Sequence, residues 1–139
     1  MIILDTNVIS EIISKKPDSN VVAWLNSINS SNLFTSWINI AEIERGISRL
    51  PDGKRKDKFE TNFNHFVNKA LSGRLLAFDE GAANFYGDVC FSREKSGLHV
   101  DAVDLMIVAI AKSYKFKIAT RNTNDFSNCG IELINPWLT

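Results

Sequence analysis

Four carboxylates in this 139-residue chain stand where chemistry is easiest to build. Asp5 follows the apolar run Ile2–Leu4 in MIILDTNVIS, Glu42 lies within INIAEIERGISRL, Asp104 opens the segment DAVDLMIVAIAKSY, and Asp125 sits in TRNTNDF. In open parallel sheets, loops and helix N-termini converge beyond the carboxyl ends of the strands, so four such segments can bring their acids to one edge. Carboxylates gathered without relief repel one another, and one or more takes up a proton near neutral pH. A divalent cation is the physical remedy. Oxygen donors with no His or Cys beside them select a hard ion such as Mg²⁺ or Mn²⁺ over zinc. Such an ion lowers the pKa of a bound water and stabilises charge on a phosphate in transfer, which points to metal-assisted hydrolysis of a phosphodiester.

Each acid also has a simpler use. Asp5, taken alone, reads first as a turn residue or as the N-cap of a helix in NVISEII. Asp101 and Asp104 form a D-x-x-D pair in which the first caps the helix and the second meets its dipole. Yet Asp104 opens a helix that must be buried, where an uncompensated charge is costly. Glu42 lies roughly 120° from the stripe of Ile40, Ile43, Ile47 and Leu50, on a face shared with Arg45 and Arg49. A surface salt bridge is the plain meaning of that face. A metal ligand beside two phosphate clamps is the chemical one.

The elements that must position these residues can be read from periodicity. IIL, NLFTSW, RLLAFD and FKIAT read as strands, and IELINPW as a short fifth. Between them, PDSNVVAWLNSI, INIAEIERGISRL, KDKFETNFNHFVNKAL and EGAANFYGDVCFSREKSG carry apolar residues at helical spacing, with Gly73 and Gly97 as stops. DAVDLMIVAIAKSY is apolar nearly all round from Ala102 to Ala111, the mark of a helix sunk in the middle of the fold. Strands spaced by helices predict an α/β three-layer sandwich around a parallel sheet of four or five strands. No repeat or linker divides residues 1–139, so a single domain is expected.

Sixteen basic residues balance sixteen acids, so no global basicity advertises nucleic acid. With the four acids set aside, the remainder is basic. The segment RGISRLPDGKRKDK, from Arg45 to Lys58, concentrates six cations against Asp52 and Asp57 and could meet a phosphate backbone, although such a run is more commonly a solvated helix face. No apolar run reaches the ~20 residues of a membrane span and no secretory signal opens the chain, so a cytoplasmic protein without membrane contact is expected. Cys90 and Cys129 stand apart, without zinc-ligand spacing, and read as small core residues.

MIILDTNVISE, INIAEIERGISRLPDGKRK, VDLMIVAIAK and IATRNTNDF…INPW together resemble the PIN-domain toxins of the VapC type, nearest the FitB-like branch. The resemblance spans essentially the whole chain, with the four blocks in the family's order. It implies a Mg²⁺-dependent endoribonuclease, with Mn²⁺ as substitute, that is the toxin of a bacterial type II toxin–antitoxin pair. It further implies a homodimer held inactive by a small VapB-like antitoxin. By position, Asp5 and Asp104 resemble the residues that most directly hold the metal, and Glu42 the acid between them. Many relatives carry an acid directly after TR, where this chain has Asn122. Asp125 is therefore expected to complete the catalytic set of Asp5, Glu42, Asp104, Asn122 and Asp125, with Thr120 in support. Arg45, Arg49 and Arg121 are the candidates for contact with RNA phosphates.

Other classes fit less well. Phosphatases that open with an Asp on strand one need a second Asp two residues on, where this chain has Asn7. Receiver domains cluster acids at the end of the first strand, and ILDT supplies one. No phosphate-binding glycine loop is present. A PIN-like RNA-binding or protein-interaction module with a depleted site is the non-enzymatic alternative, kept open by Asn122.

Overall fold

A computed structural model describes residues 1–139 and shows five strands, all parallel. They are β1 (Ile2–Leu4), β2 (Leu33–Ser36), β3 (Leu75–Leu76), β4 (Lys117–Ala119) and β5 (Leu133–Ile134), in the spatial order β3-β2-β1-β4-β5. Seven α-helices connect them: α1 (Thr6–Ile12), α2 (Ser19–Ser27), α3 (Trp37–Ser48), α4 (Lys54–Phe66), α5 (Glu80–Lys95), α6 (Ala102–Tyr114) and α7 (Thr123–Phe126). A π-helical turn, Val67–Leu71, continues α4.

The two faces of the sheet are filled by alternate strand residues, because successive side chains of a strand point to opposite sides. Ile2 and Leu4 of β1 pack with Val8, Val21, Ile43 and Phe63, beneath α1 to α4. Ile3 points the other way, into a second core built with Ala82, Ile107, Ile110 and Ile118. The result is the expected three-layer α/β sandwich, with the sheet at its full five strands. No helix is long and apolar enough to cross a membrane. Neither cysteine forms a disulfide, and Cys129 is buried in the second core.

From β1 the chain winds outward through β2 to β3, then returns to place β4 on the other side of β1. The reversal falls between β1 and β4, and a crevice beyond the carboxyl ends of those two strands is where open α/β sheets bind ligands. Asp5 and Thr120 are the first residues past those two ends.

Several strands are shorter than their apolar runs, each because a polar side chain diverts the backbone into a cap. Ser36 accepts a hydrogen bond from the Asn39 backbone N–H, and Asn39 Oδ1 accepts from the Ser36 N–H, so NLFTSW gives way to α3 at Trp37. RLLAFD pairs only over Leu75–Leu76, since Asp79 turns to cap α5 by accepting from the Ala82 N–H. IELINPW ends its pairing at Ile134, where the Asn135 side chain caps a 3₁₀ turn over Pro136–Leu138. Helix α6 is buried over Leu105 and Ile107–Ala111, but Ala102 and Val103 are exposed, so the apolar-all-round reading holds only from the second turn.

Ile107 is fully enclosed in the second core. Ile107→Ala should therefore cost about 2–5 kcal/mol, the range for truncating a buried aliphatic side chain, read as a lowered urea midpoint with an unchanged m-value.

Candidate active site

Asp5 is 5% exposed, in extended backbone, and stands at the N-cap position of α1. A capping side chain ordinarily accepts from the second or third helical N–H. Here Oδ1 accepts instead from the adjacent Thr6 N–H at 2.8 Å, while the backbone carbonyl of Asp5 takes the Val8 and Ile9 N–H groups. The carboxylate therefore lies across the end of the helix, within reach of two other strand ends. Asn39 Nδ2 donates to Oδ1 at 3.1 Å, and on Oδ2 the Thr120 hydroxyl donates at 2.8 Å and Asn7 Nδ2 at 3.3 Å. A cap and a cluster member were alternative readings of Asp5; the side chain does both.

All four of these donors are neutral. A carboxylate has about four lone-pair sites, so Asp5 is fully hydrogen-bonded yet meets no positive charge. Burial pushes its pKa up, against the lowering effect of Thr120, Thr6 and Asn39, and the charge of Asp125 adds a further rise.

Glu42 reaches the same cluster from α3. Its Oε1 accepts from the Thr6 hydroxyl at 2.8 Å, and Thr6 Oγ1 in turn accepts from Asn39 Nδ2 at 3.1 Å. Partial burial raises its pKa, and so do Asp5 and Asp101. Asp104, in the first turn of α6, is pushed up to about 7, first by burial and then by the charges of Asp101, Asp5, Glu42 and Asp125. Thus Asp5, Glu42, Asp104 and Asp125 do share one electrostatic neighbourhood. They do not close on a single point, because no three carboxylates here are grouped as ion ligands.

The remaining candidates fall at different removes. Asn122 is exposed at the start of α7, where its side chain makes no cap, and its N–H donates to Thr120 Oγ1 at 3.1 Å. Asp125 is exposed on α7. The Arg121 N–H donates to Asn7 Oδ1, and its guanidinium lies 5.0 Å from the centre of the Trp137 ring. Arg45 and Arg49 are exposed, and neither pairs with Glu42: the chain's two ion pairs are Lys56–Asp52 and Lys117–Glu132. Reasoning from carboxylates alone passed over Thr6, Asn7 and Asn39, the neutral residues that hold the acids, and it took Asp101 only as a cap. Asp101 does cap, accepting from the Asp104 N–H, and it is also the largest charge effect on Asp104. The signals were in DTN beside the first acid and in SWIN, whose Ser and Asn stand at capping-box spacing.

As a donor set, oxygen atoms alone with no His, Cys or cationic side chain among them fit a hard divalent ion. Direct ligation by Asp5 requires one of its neutral donors to yield, and Asn7, at 3.3 Å, is the most weakly held.

The PIN domain family model matches residues 2–131, and the chain belongs to that family. It is 39% identical to the VapC ribonuclease Y4jK of Sinorhizobium fredii, over 99% of this chain and 98% of that one. It is 36% identical to the toxin FitB of Neisseria gonorrhoeae, over 99% of each. Among solved structures, FitAB bound to an IR36 DNA fragment matches with a TM-score of 0.90 at 36% identity, covering 99% of this chain and 96% of that one.

Two outcomes follow. The raised pKa of Asp104 means the folded protein holds that proton more tightly than the unfolded chain, so stability falls as pH climbs from about 3.8 to about 7. In chelator, Asp104→Asn should accordingly raise the melting midpoint at pH 8 and leave it unchanged below pH 4. If the cluster holds a divalent ion, Asn39→Ala, which leaves Asp5 Oδ1 with the Thr6 N–H as its one donor, should weaken Mn²⁺ binding about 10–100-fold by calorimetry, as loss of a ligand-orienting partner does.

Proposed function

We propose that the chain is a metal-dependent endoribonuclease and the toxin of a type II toxin–antitoxin pair, with Mg²⁺ as its ion and Mn²⁺ as a substitute. The observation that carries this reading is a buried Asp5 at the β1 end, fully hydrogen-bonded yet uncompensated, with its charge raising the proton affinity of Glu42 and, together with Glu42 and Asp125, that of Asp104. Kinship supports the same reading, since full-length relatives bear the names VapC ribonuclease and toxin FitB.

Asp5 and Asp104 would hold the ion, with Glu42 and Asp125 adding negative charge around it. When bound, the ion supplies positive charge to a phosphate and lowers the pKa of a water. The protein's own part is orientation. Thr6 fixes Glu42, while Asn39 and Thr120 fix the two oxygens of Asp5, so the acids do not reorganise as substrate arrives. Asp104, pushed up to about 7, would hold the ion as a carboxylate, the form that nearby positive charge favours. Arg121, braced on Trp137 and tied through Asn7 to Asp5, is placed to meet a phosphate oxygen.

A VapB-like antitoxin is the expected partner, in keeping with the FitAB assembly matched above, and homodimerisation and a cytoplasmic location accompany the same reading. The neutral Asn122 and the open spacing of the acids favour one other reading, a PIN-like module that binds RNA without cutting it.

Partner-free protein mixed with structured RNA should cleave it in Mg²⁺ or Mn²⁺ and not in excess chelator. Asp5→Asn should slow cleavage by about a thousand-fold, as loss of several kcal/mol of charge stabilisation requires. RNA binding without cleavage in any metal would select the module instead, and phosphate release from small phosphomonoesters would select a phosphatase.

A further inference from the structure

Beside Glu42 begins a groove that the acid cluster does not use. Three adjoining hollows of about 260, 470 and 300 Å³ run between α1 and α4. The first is bordered by Thr6 and Glu42 and shares Arg55 and Phe59 with the second. The second shares Ile13, Ser14 and Asn62 with the third, which ends at Lys69. From Arg55 to Lys69 the helical rise gives roughly 21 Å, enough for several nucleotides.

Beyond Glu42, in the second and third hollows, the charge along this path has one sign. Lys15, Lys54, Arg55, Lys58 and Lys69 line it, and none has an acidic partner, since the only ion pairs in the chain lie elsewhere. The acids of α4 do not neutralise them. Asp57 and Glu60 stand about 200° and 140° around the helix from Arg55, and neither borders a hollow. Amid these cations Phe59, half-buried, lines the first two hollows. A cationic groove interrupted by an accessible aromatic ring is what single-stranded nucleic acid requires, with phosphates on the cations and a base on the ring. Gly46 keeps the entrance open: a Cβ added there would meet nothing within 4 Å.

We propose that this groove is the track for the single-stranded RNA flanking the scissile phosphate, with Lys54, Arg55 and Lys58 on the backbone and Phe59 under a base. The inference deepens the nuclease reading and rests on it for the identity of the polyanion. It also reassigns the phosphate-binding part of the Arg45–Lys58 run. Arg45 and Arg49 border none of the three hollows, whereas Lys54, Arg55 and Lys58 line the second.

The test is a titration of fluorescein-labelled, unstructured RNA of about twelve nucleotides, within the span that single-strand grooves cover, in an Asp5→Asn background without cleavage. Replacing Lys54, Arg55 and Lys58 together by Gln should weaken binding at least ten-fold at low salt. It should also make the slope of log K against log salt shallower by roughly 2, at about 0.7 per phosphate contact. Phe59→Leu should cost about five-fold or more, the lower end of one base stacked on an aromatic ring. Gly46→Leu, which removes no charge and suits a helix, should weaken binding by obstruction with the slope unchanged. Unchanged affinity and slope in the triple variant would overturn the proposal. So would intact RNA binding coupled to lost association with a protein partner, which would give the groove to that partner. Cleavage by the unaltered protein is scored separately: an active nuclease with indifferent groove variants sinks the track alone, and an inactive protein whose groove variants lose RNA sinks the nuclease alone.

Discussion

The rest of the molecule depends on a buried negative charge that the chain hydrogen-bonds but does not neutralise. Asp5 is held by one backbone N–H and three side-chain donors, all neutral. A lone arginine at the same place would have made a buried ion pair and closed the site to any other cation. Neutral donors fix the oxygens in space while leaving the field negative, so the electrostatic demand is passed outward to Glu42 and Asp104, whose proton affinities it raises. The cluster's stability and its capacity to bind are thus opposed, as is common where a protein stores strain at its site of action.

A second field lies beside the first. The groove along α4 is positive for most of its length, and it reaches the acids at Glu42. A polyanion approaching bare carboxylates would be repelled; along the groove it is attracted, and the acids become tolerable to it only with a cation between them. Zero net charge for the whole chain conceals this division, which explains why the overall balance was silent about nucleic acid.

Much of the architecture was readable from periodicity, because the strands are buried on both faces and the helices carry clean apolar stripes. The ends of the strands were harder to place. Ser36, Asp79 and Asn135 each spend a side chain on a cap, so pairing stops before the apolar run does. The acids were legible as a group because topology sends four loops to one edge. Their holders were not, since Thr6, Asn7 and Asn39 have ordinary cap and turn meanings and acquire their role only through partners as far as 114 residues away. Arg45 and Arg49 were attractive on a helical wheel, which gives direction around a helix but not what lies opposite it. The basic stretch after Pro51 was visible as composition, and only the hollows between α1 and α4 showed which of its cations share a wall.

The three side-chain supports of Asp5 come from just past the ends of β1, β2 and β4, and the last of them, Thr120, stands 115 residues after Asp5. β4 is also the strand that seats against β1 at the centre of the sheet, a pairing between distant parts of the chain. During synthesis, then, a nascent polypeptide can assemble its amino-terminal half while its carboxylate at position five still lacks a hydroxyl partner and a neighbouring strand. Whatever the acids accomplish is deferred until the chain has been made past residue 120, a form of timing that is written into strand order alone.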